Sequence, residues 1–573
     1  MLEDAVLFLQ GFIGFEDRPN LVREQALAYQ YLGKVQALLG EQTDAIASLK
    51  LAIDRQETIV ELSPREFDSI QNLGLSWHEL GRNQIFSNPI EAEKALLRSV
   101  ELIKSLEGKL NGFELSLAET CNQLGTLYSN TSRPEQAAEM YRKSIQIRET
   151  FLKSASEPQD KDFFRRQLAQ AHHNLGSLLL VRSNLSAAET EIRKADDLLS
   201  AEPEDSVMRR SFRNSRFEVC NSLATLLFDK GQLNDAVTQY ERALAIAKER
   251  ASLYPNIAEY KDSIARSHHN LANVYMTMQR KSDTLKEFQA ATDIRRPLAQ
   301  SHSDDAYQQT VFAETCAGLA HALSWNGKLD EANSSFREAM DALEGLVNKH
   351  PNMTRYIASL NSTEINYGLM LASIGDVTES LAAHQRVIDR AKAALQKDSG
   401  NSTMRLTLFN AHGARANTLI SQQRFKEAIV NCDGVVDSAS ENEREFCIAW
   451  RLPTLARVDD HRAFQDVIQL AESGEKSAEV YYNLSCACAI AIQTMKNRTL
   501  DDTAKSDLES KYRTKAFEML ENTISQGFFT NPDSKEFLDN DSDFDELRKD
   551  ARWQEFEQRI SHAIENSNPA PRP

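Results

Sequence analysis

The chain has 573 residues, a formal net charge of −18, 26% charged and 41% hydrophobic residues, and few prolines (14) and glycines (21). A chain of this length exceeds the size at which one hydrophobic core keeps growing, which predicts several domains or a one-dimensional array. The composition indicates an ordered, helix-rich protein, and the negative charge argues against a nucleic-acid or anionic-membrane surface.

The N-terminus and the cysteines indicate the compartment. Residues 1–22 open with a short apolar run that carries Glu3 and Asp4 and no basic region, so we expect a helix and not a signal peptide. Nowhere do 18 consecutive apolar residues occur, and therefore no membrane span is expected. The seven cysteines form no C-x-x-C pair and are widely scattered, which favours a reducing compartment and predicts a cytoplasmic protein.

A register of small and bulky residues repeats along the chain. In most copies a second small residue lies 12 positions after the first one. A bulky residue lies 16 positions after the first one. Between residues 176 and 416 the first small residue recurs every 48 positions. We call this first residue the anchor, and the anchors are Gly33, Gly74, Gly125, Gly176, Ala224, Ala272, Ala320, Gly368, Ala416 and Ser485.

Each copy of the register predicts two helices joined by a turn. Small residues let the two helices approach closely, the bulky residue fills the space between them, and the pair must stack on its neighbours to bury its apolar face. Gly40, Gly231, Gly327 and Gly375 fall between the two helices, where a C-cap glycine is typical. The predicted fold class is therefore all-α, an array of stacked antiparallel helix pairs.

The stretch QYLGKVQALLGEQTDAIASLKLAI (30–53) resembles the tetratricopeptide repeat, whose pattern has Leu-Gly, an aromatic residue, Ala, Phe and Ala at these offsets. The resemblance covers roughly residues 20–530. It implies a right-handed superhelical solenoid whose first helices line a groove for a protein or peptide. The family repeat has about 34 residues. The 48-residue repeat here is about 14 residues longer, which adds about 21 Å of helix at about 1.5 Å per residue.

The register also predicts the organisation of the chain. We expect insertions at 82–90 and 496–510, both in the turn between paired helices. The predicted segments are an N-terminal helix (1–22), repeats one to nine (23–440), a degenerate helix pair (441–475), a last repeat with an insertion (476–530), a C-terminal cap (531–562) and a disordered tail (563–573).

The C-terminal segments YYNLSCACAIA (481–491), AFEMLENTISQGF (516–528) and LDNDSDFDELRKDARWQEF (538–556) look like the repeat region of planctomycete-type bacterial serine/threonine protein kinases. The sequence has no Gly-rich phosphate loop, HRD catalytic loop or DFG, and the nearest string (458–464) lacks the Asp after Arg462. It also has no G-x-S-x-G, Walker A or H-E-x-x-H motif. We predict a non-enzymatic scaffold without catalytic residues or cofactors. The alternative is the regulatory or sensor region of a kinase system.

Histidine and cysteine recur four residues before the anchor. Zinc takes these ligands, but packed helix axes lie about 8–10 Å apart, so a metal between neighbours would reach about two of the side chains. We therefore expect core packing and no metal site. This Cys/His column consists of Ile70, Cys121, His172, Cys220, His268, Cys316, Glu364 and His412.

Polar residues close to the anchors are predicted to face the groove. Their amides offer donors and acceptors that could bind the main chain of an extended peptide, or could instead bond local backbone or face water. The family's carboxylate-binding version needs Lys and Arg beside Asn, and Arg266 stands nearly alone here. The partner is predicted to be a protein or peptide. The candidate groove residues are Asn72, Asn122, His173, Asn174, Asn221, Thr225, His269, Asn270, Asn273, Asn366 and Asn417.

Overall fold

The structure is a computed structural model that describes residues 2–13, 21–460, 462–495, 501–530 and 532–567. Throughout these residues the regular secondary structure is helical and no strand occurs. None of the described helices is long and apolar enough to cross a lipid bilayer. The chain divides into two compact units, unit 1 (Met1–Ile294) and unit 2 (Arg295–Pro573).

Unit 1 is built from helices that pair in chain order, and each pair packs on the next one. Its last helix, α13, continues into unit 2. The helices are α1 (Leu2–Ile13), α2 (Val22–Leu39), α3 (Gln42–Leu62), α4 (Phe67–Gln84), α5 (Pro89–Lys104), α6 (Phe113–Asn130), α7 (Pro134–Ser154), α8 (Pro158–Val181), α9 (Leu185–Leu198), α10 (Ser206–Asp229), α11 (Leu233–Leu253), α12 (Ala258–Thr277) and α13 (Lys281–Ser301).

Unit 2 repeats this arrangement and ends in shorter helices. They are α14 (Ala306–Trp325), α15 (Leu329–Lys349), α16 (Thr354–Ser373), α17 (Val377–Lys397), α18 (Ser402–Ser421), α19 (Phe425–Ser438), α20 (Glu441–Arg457), α21 (Arg462–Glu472), α22 (Ala478–Thr494), α23 (Asp502–Ser525), α24 (Pro532–Asn540), a 3-10 turn (Ser542–Phe544) and α25 (Arg552–Ser567). The predicted all-α fold of stacked helix pairs is confirmed, and the right-handed sense stays a prediction.

Close packing at the anchors explains why small residues recur there. A Cβ atom added to Gly125 would lie 2.5 Å from Tyr141 Cε1, and one added to Gly176 would lie 2.5 Å from Ile192 Cγ1. Both contacts join an anchor to the bulky residue 16 positions later, as predicted. The second small residue is fully buried in eight copies, at Ala45, Ala137, Ala188, Ala236, Thr284, Ala332, Ser380 and Ala428.

The turns between paired helices need a left-handed residue. Gly40, Gly231, Gly327 and Gly375 have φ angles from 73° to 88°, which confirms the predicted C-cap glycines. In other copies a residue with a side chain takes this conformation, which costs roughly 1–2 kcal/mol for an L-residue. These residues are Ser132, Ser183, Gln279 and Gln423, with φ from 56° to 61°.

Three predicted boundaries differ from the structure. The insertion at 82–90 is mostly helical, with a turn only at 85–88, and residues 502–510 belong to α23, whose N-cap Asp501 accepts a hydrogen bond from the Ala504 amide. Residues 563–567 continue α25 because Ile564 packs against the C-terminal core. Residues 14–20, 496–500 and 568–573 lie outside the described residues, and the last of these ranges is the rest of the predicted tail.

Candidate functional site

The Cys/His column is largely buried, and its histidines bond the second helix of the same pair. His172 Nδ1 lies 2.6 Å from Glu191 Oε2, and His268 Nδ1 lies 2.5 Å from Glu287 Oε2. Burial alone would raise the pKa of Glu191, but hydrogen bonds from His172 and Lys194 outweigh it and lower that pKa to about 2. The column therefore combines core packing with a His–Glu hydrogen bond, and the sequence signal of this bond is a Glu 19 residues after the His.

The cysteines of the column are inert in this environment. Burial raises the pKa of Cys220 to about 11 and that of Cys316 to about 12, so both thiols are protonated at neutral pH. Within the described part of the chain, no three ligand atoms of the column come within 4.8 Å of one another.

One mixed cluster of potential metal ligands lies between α22 and the C-terminal cap. Ligand atoms of Cys486, Asp541 and Asp543 lie within 4.8 Å of one another. Tyr482 donates a hydrogen bond to Asp541 Oδ2 (2.8 Å), and Arg457 forms an ion pair with Asp543. Burial raises the pKa of Asp543 to about 6, although Arg457 opposes this shift. Because each carboxylate already has a protein partner, this cluster packs the cap against the last repeat.

Most neighbouring first helices contact one another within each unit, and their series is here called the first-helix face (α2, α4, α6, α8, α10 and α12 in unit 1; α14, α16, α18 and α20 in unit 2). In unit 1 four of the predicted asparagines of this face form two pairs. Asn174 Nδ2 donates to Asn122 Oδ1 (3.2 Å), and Asn270 Nδ2 donates to Asn221 Oδ1 (3.5 Å).

The other predicted residues of the unit 1 face also have contacts within the chain, with one exception. His173 Nε2 lies 2.8 Å from Ser222 Oγ, and burial lowers the pKa of His173. The main-chain carbonyl of Asn72, and not its side-chain amide, accepts a hydrogen bond from Gln30 Nε2 (3.3 Å). Of the rest, Thr225 bonds the Tyr240 hydroxyl (2.9 Å), the His269 ring packs edge-on against Phe288 and Asn273 is exposed.

In unit 2 the predicted residues Asn366 and Asn417 are exposed and line a cavity of about 510 Å³, here called the unit 2 cavity. Its walls come from α16, α18, α19 and α20. The lining residues are Ser362, Ile365, Asn366, Leu369, Thr407, Phe409, Asn410, Gly413, Ala414, Asn417, Val435, Phe446, Cys447 and Trp450.

The unit 2 cavity combines an apolar wall with unpaired polar groups. Within the described residues, no side-chain hydrogen bond involves Asn366, Asn410 or Asn417. The lining carries no charged side chain. The one acidic residue of α16, Glu364, is bound by Arg386 (2.5 Å) and Arg390 (3.0 Å). The cavity can therefore bind a neutral ligand that offers both apolar and hydrogen-bonding groups.

A single substitution in the register explains why Asn366 is unpaired. Asn174, Asn270 and Asn366 all lie two residues before an anchor. The residue that bonds the first two lies three residues before the preceding anchor, and in the copy before Asn366 this position holds Ala317. Alanine has no side-chain acceptor, so Asn366 has no amide pair of this kind.

Sequence reasoning missed Phe409, Asn410, Phe446 and Trp450. Phe446 and Trp450 belong to α20, which lies in the stretch where the register degrades. Two aromatic residues four positions apart in a helix without its repeat pattern were the available signal. Their position beside α16 and α18 depends on tertiary packing, which the sequence pattern does not predict.

Comparison with known proteins supports the repeat assignment. Residues 117–154 and 218–251 match the family model of the tetratricopeptide repeat. These segments coincide with the helix pairs α6–α7 and α10–α11. The comparison with curated proteins gives no match.

Several solved structures are similar to this chain at low sequence identity. The apo form of RapI is 14% identical over 72% of this chain and 97% of that chain, with a TM-score of 0.49. A Rap protein complexed with Competence and Sporulation Factor is 13% identical over 78% and 99%, with a TM-score of 0.36. The apo form of the quorum sensor NprR from B. thuringiensis is 16% identical over 60% and 87%, with a TM-score of 0.38.

Proposed function

We propose that this chain is a non-enzymatic scaffold for protein–protein interaction, and that the unit 2 cavity binds an extended segment of the partner. The repeat match and the stacked helix pairs support a scaffold, because helical repeats stack into extended surfaces that bind other proteins. The observation that carries the proposal is the group of unpaired amides of Asn366, Asn410 and Asn417 around an apolar cavity.

Binding follows from the chemistry of these groups. A side-chain amide can donate to a main-chain carbonyl and accept from a main-chain N–H, whichever side chains the bound segment carries. The apolar wall then holds one or two of its side chains. For the four paired asparagines of unit 1 we propose a structural role, because the pairs Asn122–Asn174 and Asn221–Asn270 already tie neighbouring repeats together.

A peptide-display experiment tests this site and requires no assumption about the sequence of the partner. Phage that display random 12-residue peptides are selected on the purified full chain, and the enriched peptides are titrated against variants. The double variant Asn366→Ala/Asn417→Ala should lose about 10- to 100-fold in affinity, since each hydrogen bond contributes about 1 kcal/mol.

The matched control is Asn273→Ala, which removes an exposed asparagine from the first-helix face of unit 1. It should leave the affinity unchanged. If the enriched peptides bind the double variant as tightly as the wild type, the unit 2 cavity is not the binding site.

The alternative function, the regulatory region of a serine/threonine kinase system, is supported by the resemblance of the C-terminal segments. Within residues 538–556 the side chains of Phe544, Trp553 and Phe556 are buried. Incubation of the purified chain with radiolabelled ATP tests the non-enzymatic part of the scaffold proposal. The scaffold proposal expects no incorporation of phosphate, and autophosphorylation of the chain alone would contradict it.

A further inference from the structure

The unit 2 cavity brings the exposed Phe446 and the half-buried Trp450 together with four unpaired hydrogen-bond donors. From this juxtaposition we infer that its ligand is an uncharged, proline-rich segment in the polyproline II conformation. This inference rests on the proposed function and specifies the chemistry of the ligand.

The aromatic residues come from two first helices. Phe446 and Trp450 are four residues apart on α20, so they lie on the same side of that helix. Phe409 of α18 lines the same cavity, and Phe446 is 45% exposed. Flat aromatic rings in a groove are the surface that proline rings contact in known polyproline II recognition.

The polar groups of the unit 2 cavity include more than the amides. The indole N–H of Trp450, which can only donate, bonds no acceptor in the described part of the chain. A polyproline II segment has carbonyl groups without internal hydrogen bonds, and proline has no N–H of its own. Such a segment therefore offers acceptors to these donors and adds no donors that need partners, whereas the carbonyls of a helix are already bonded.

Charge and entropy favour the same ligand. The lining of the unit 2 cavity has no charged side chain, so an acidic or basic segment would bury its charge there without a counter-charge. A proline-rich segment is already extended in solution, and its binding costs little conformational entropy. A flexible segment of glycine and serine shares the neutrality but lacks rings and is not preorganised.

The test uses the full chain and synthetic peptides with blocked ends in isothermal titration calorimetry. Octaproline should bind, and an octapeptide of alternating glycine and serine should bind at least about 10-fold more weakly. Trp450→Phe keeps a ring that packs against Val435 but removes the N–H, and should weaken octaproline binding about 3- to 10-fold. Trp450→Ala should abolish it.

The matched control is Trp325→Phe on α14, because Trp325 lies outside the unit 2 cavity. This variant should bind octaproline with the wild-type affinity. Circular dichroism checks that the variants keep their helices. The inference is overturned if octaproline fails to bind while library peptides without proline bind through Asn366 and Asn417, or if Trp450→Phe binds octaproline as tightly as the wild type. If neither octaproline nor any library peptide binds, the proposed function fails together with the inference.

Discussion

The first-helix faces of the two units use the same asparagine positions in opposite ways. In unit 1 the amides of Asn174 and Asn270 bond an asparagine of the preceding repeat. In unit 2 the position of the bonding asparagine is occupied by Ala317, and the amide of Asn366 lines the unit 2 cavity. The same residue type thus serves cohesion between repeats in one unit and is available to a ligand in the other. We propose that Asn366 is available to a ligand because it has no such partner within the described residues.

The largest expected difference is the response of equivalent helix pairs to acid, between α8–α9 in unit 1 and α18–α19 in unit 2. The pKa of Glu191 is about 2 in the folded chain and lies near 4.5 in an unfolded one. A carboxyl whose pKa is lower in the folded state stabilises the protein above the unfolded value, and this stability is lost as the pH falls from about 4.5 to about 2. Hydrogen exchange in α8 and α9 should accelerate over this range, relative to the variant Glu191→Gln.

Unit 2 offers a matched test of this effect. There the equivalent histidine, His412, bonds the neutral Asn431 (3.1 Å), so this pair contains no carboxylate that titrates. Asn431→Asp should introduce the acid sensitivity of unit 1 into α18 and α19. Equal acceleration of exchange in the wild type and in Glu191→Gln would contradict the role of the His172–Glu191 pair.

The next effect concerns the cohesion of unit 1. Asn122→Ala removes the acceptor of Asn174 and should lower the free energy of unfolding by about 1 kcal/mol, because the half-buried amide of Asn174 still reaches water. Urea denaturation measures this loss. Peptide binding should stay at the wild-type level, and a decrease of more than about threefold would show that the pairs of unit 1 also support the site.

The smallest effect is expected at the turns. Ser183→Gly relieves a left-handed φ of 57° and should raise the free energy of unfolding by about 1 kcal/mol, since the exposed Ser183 side chain makes no hydrogen bond in the described residues. The reverse change in the next repeat, Gly231→Ser, should lower it by a similar amount. A drop in stability for Ser183→Gly would mean that the serine side chain stabilises the turn.

Much of this architecture could be predicted because one register controls both helix pairing and burial. The contact between Gly125 and Tyr141 and the turn at Gly231 follow directly from the spacing of small and bulky residues. The candidate groove was predicted only in part. Asn366 and Asn417 line the unit 2 cavity. Trp450 lies on α20, and the degraded register of this helix did not predict its position relative to α16 and α18.

Restoration of the missing partner tests the account most directly. Ala317 is half-buried, so Ala317→Asn should place an acceptor beside Asn366 and recreate the amide pair of unit 1. We expect this variant to bind the library-selected peptides about 5- to 10-fold more weakly. Its free energy of unfolding should be higher by about 1 kcal/mol. Unchanged peptide affinity in a variant that has gained this stability would contradict the claim that the free amide of Asn366 binds the partner.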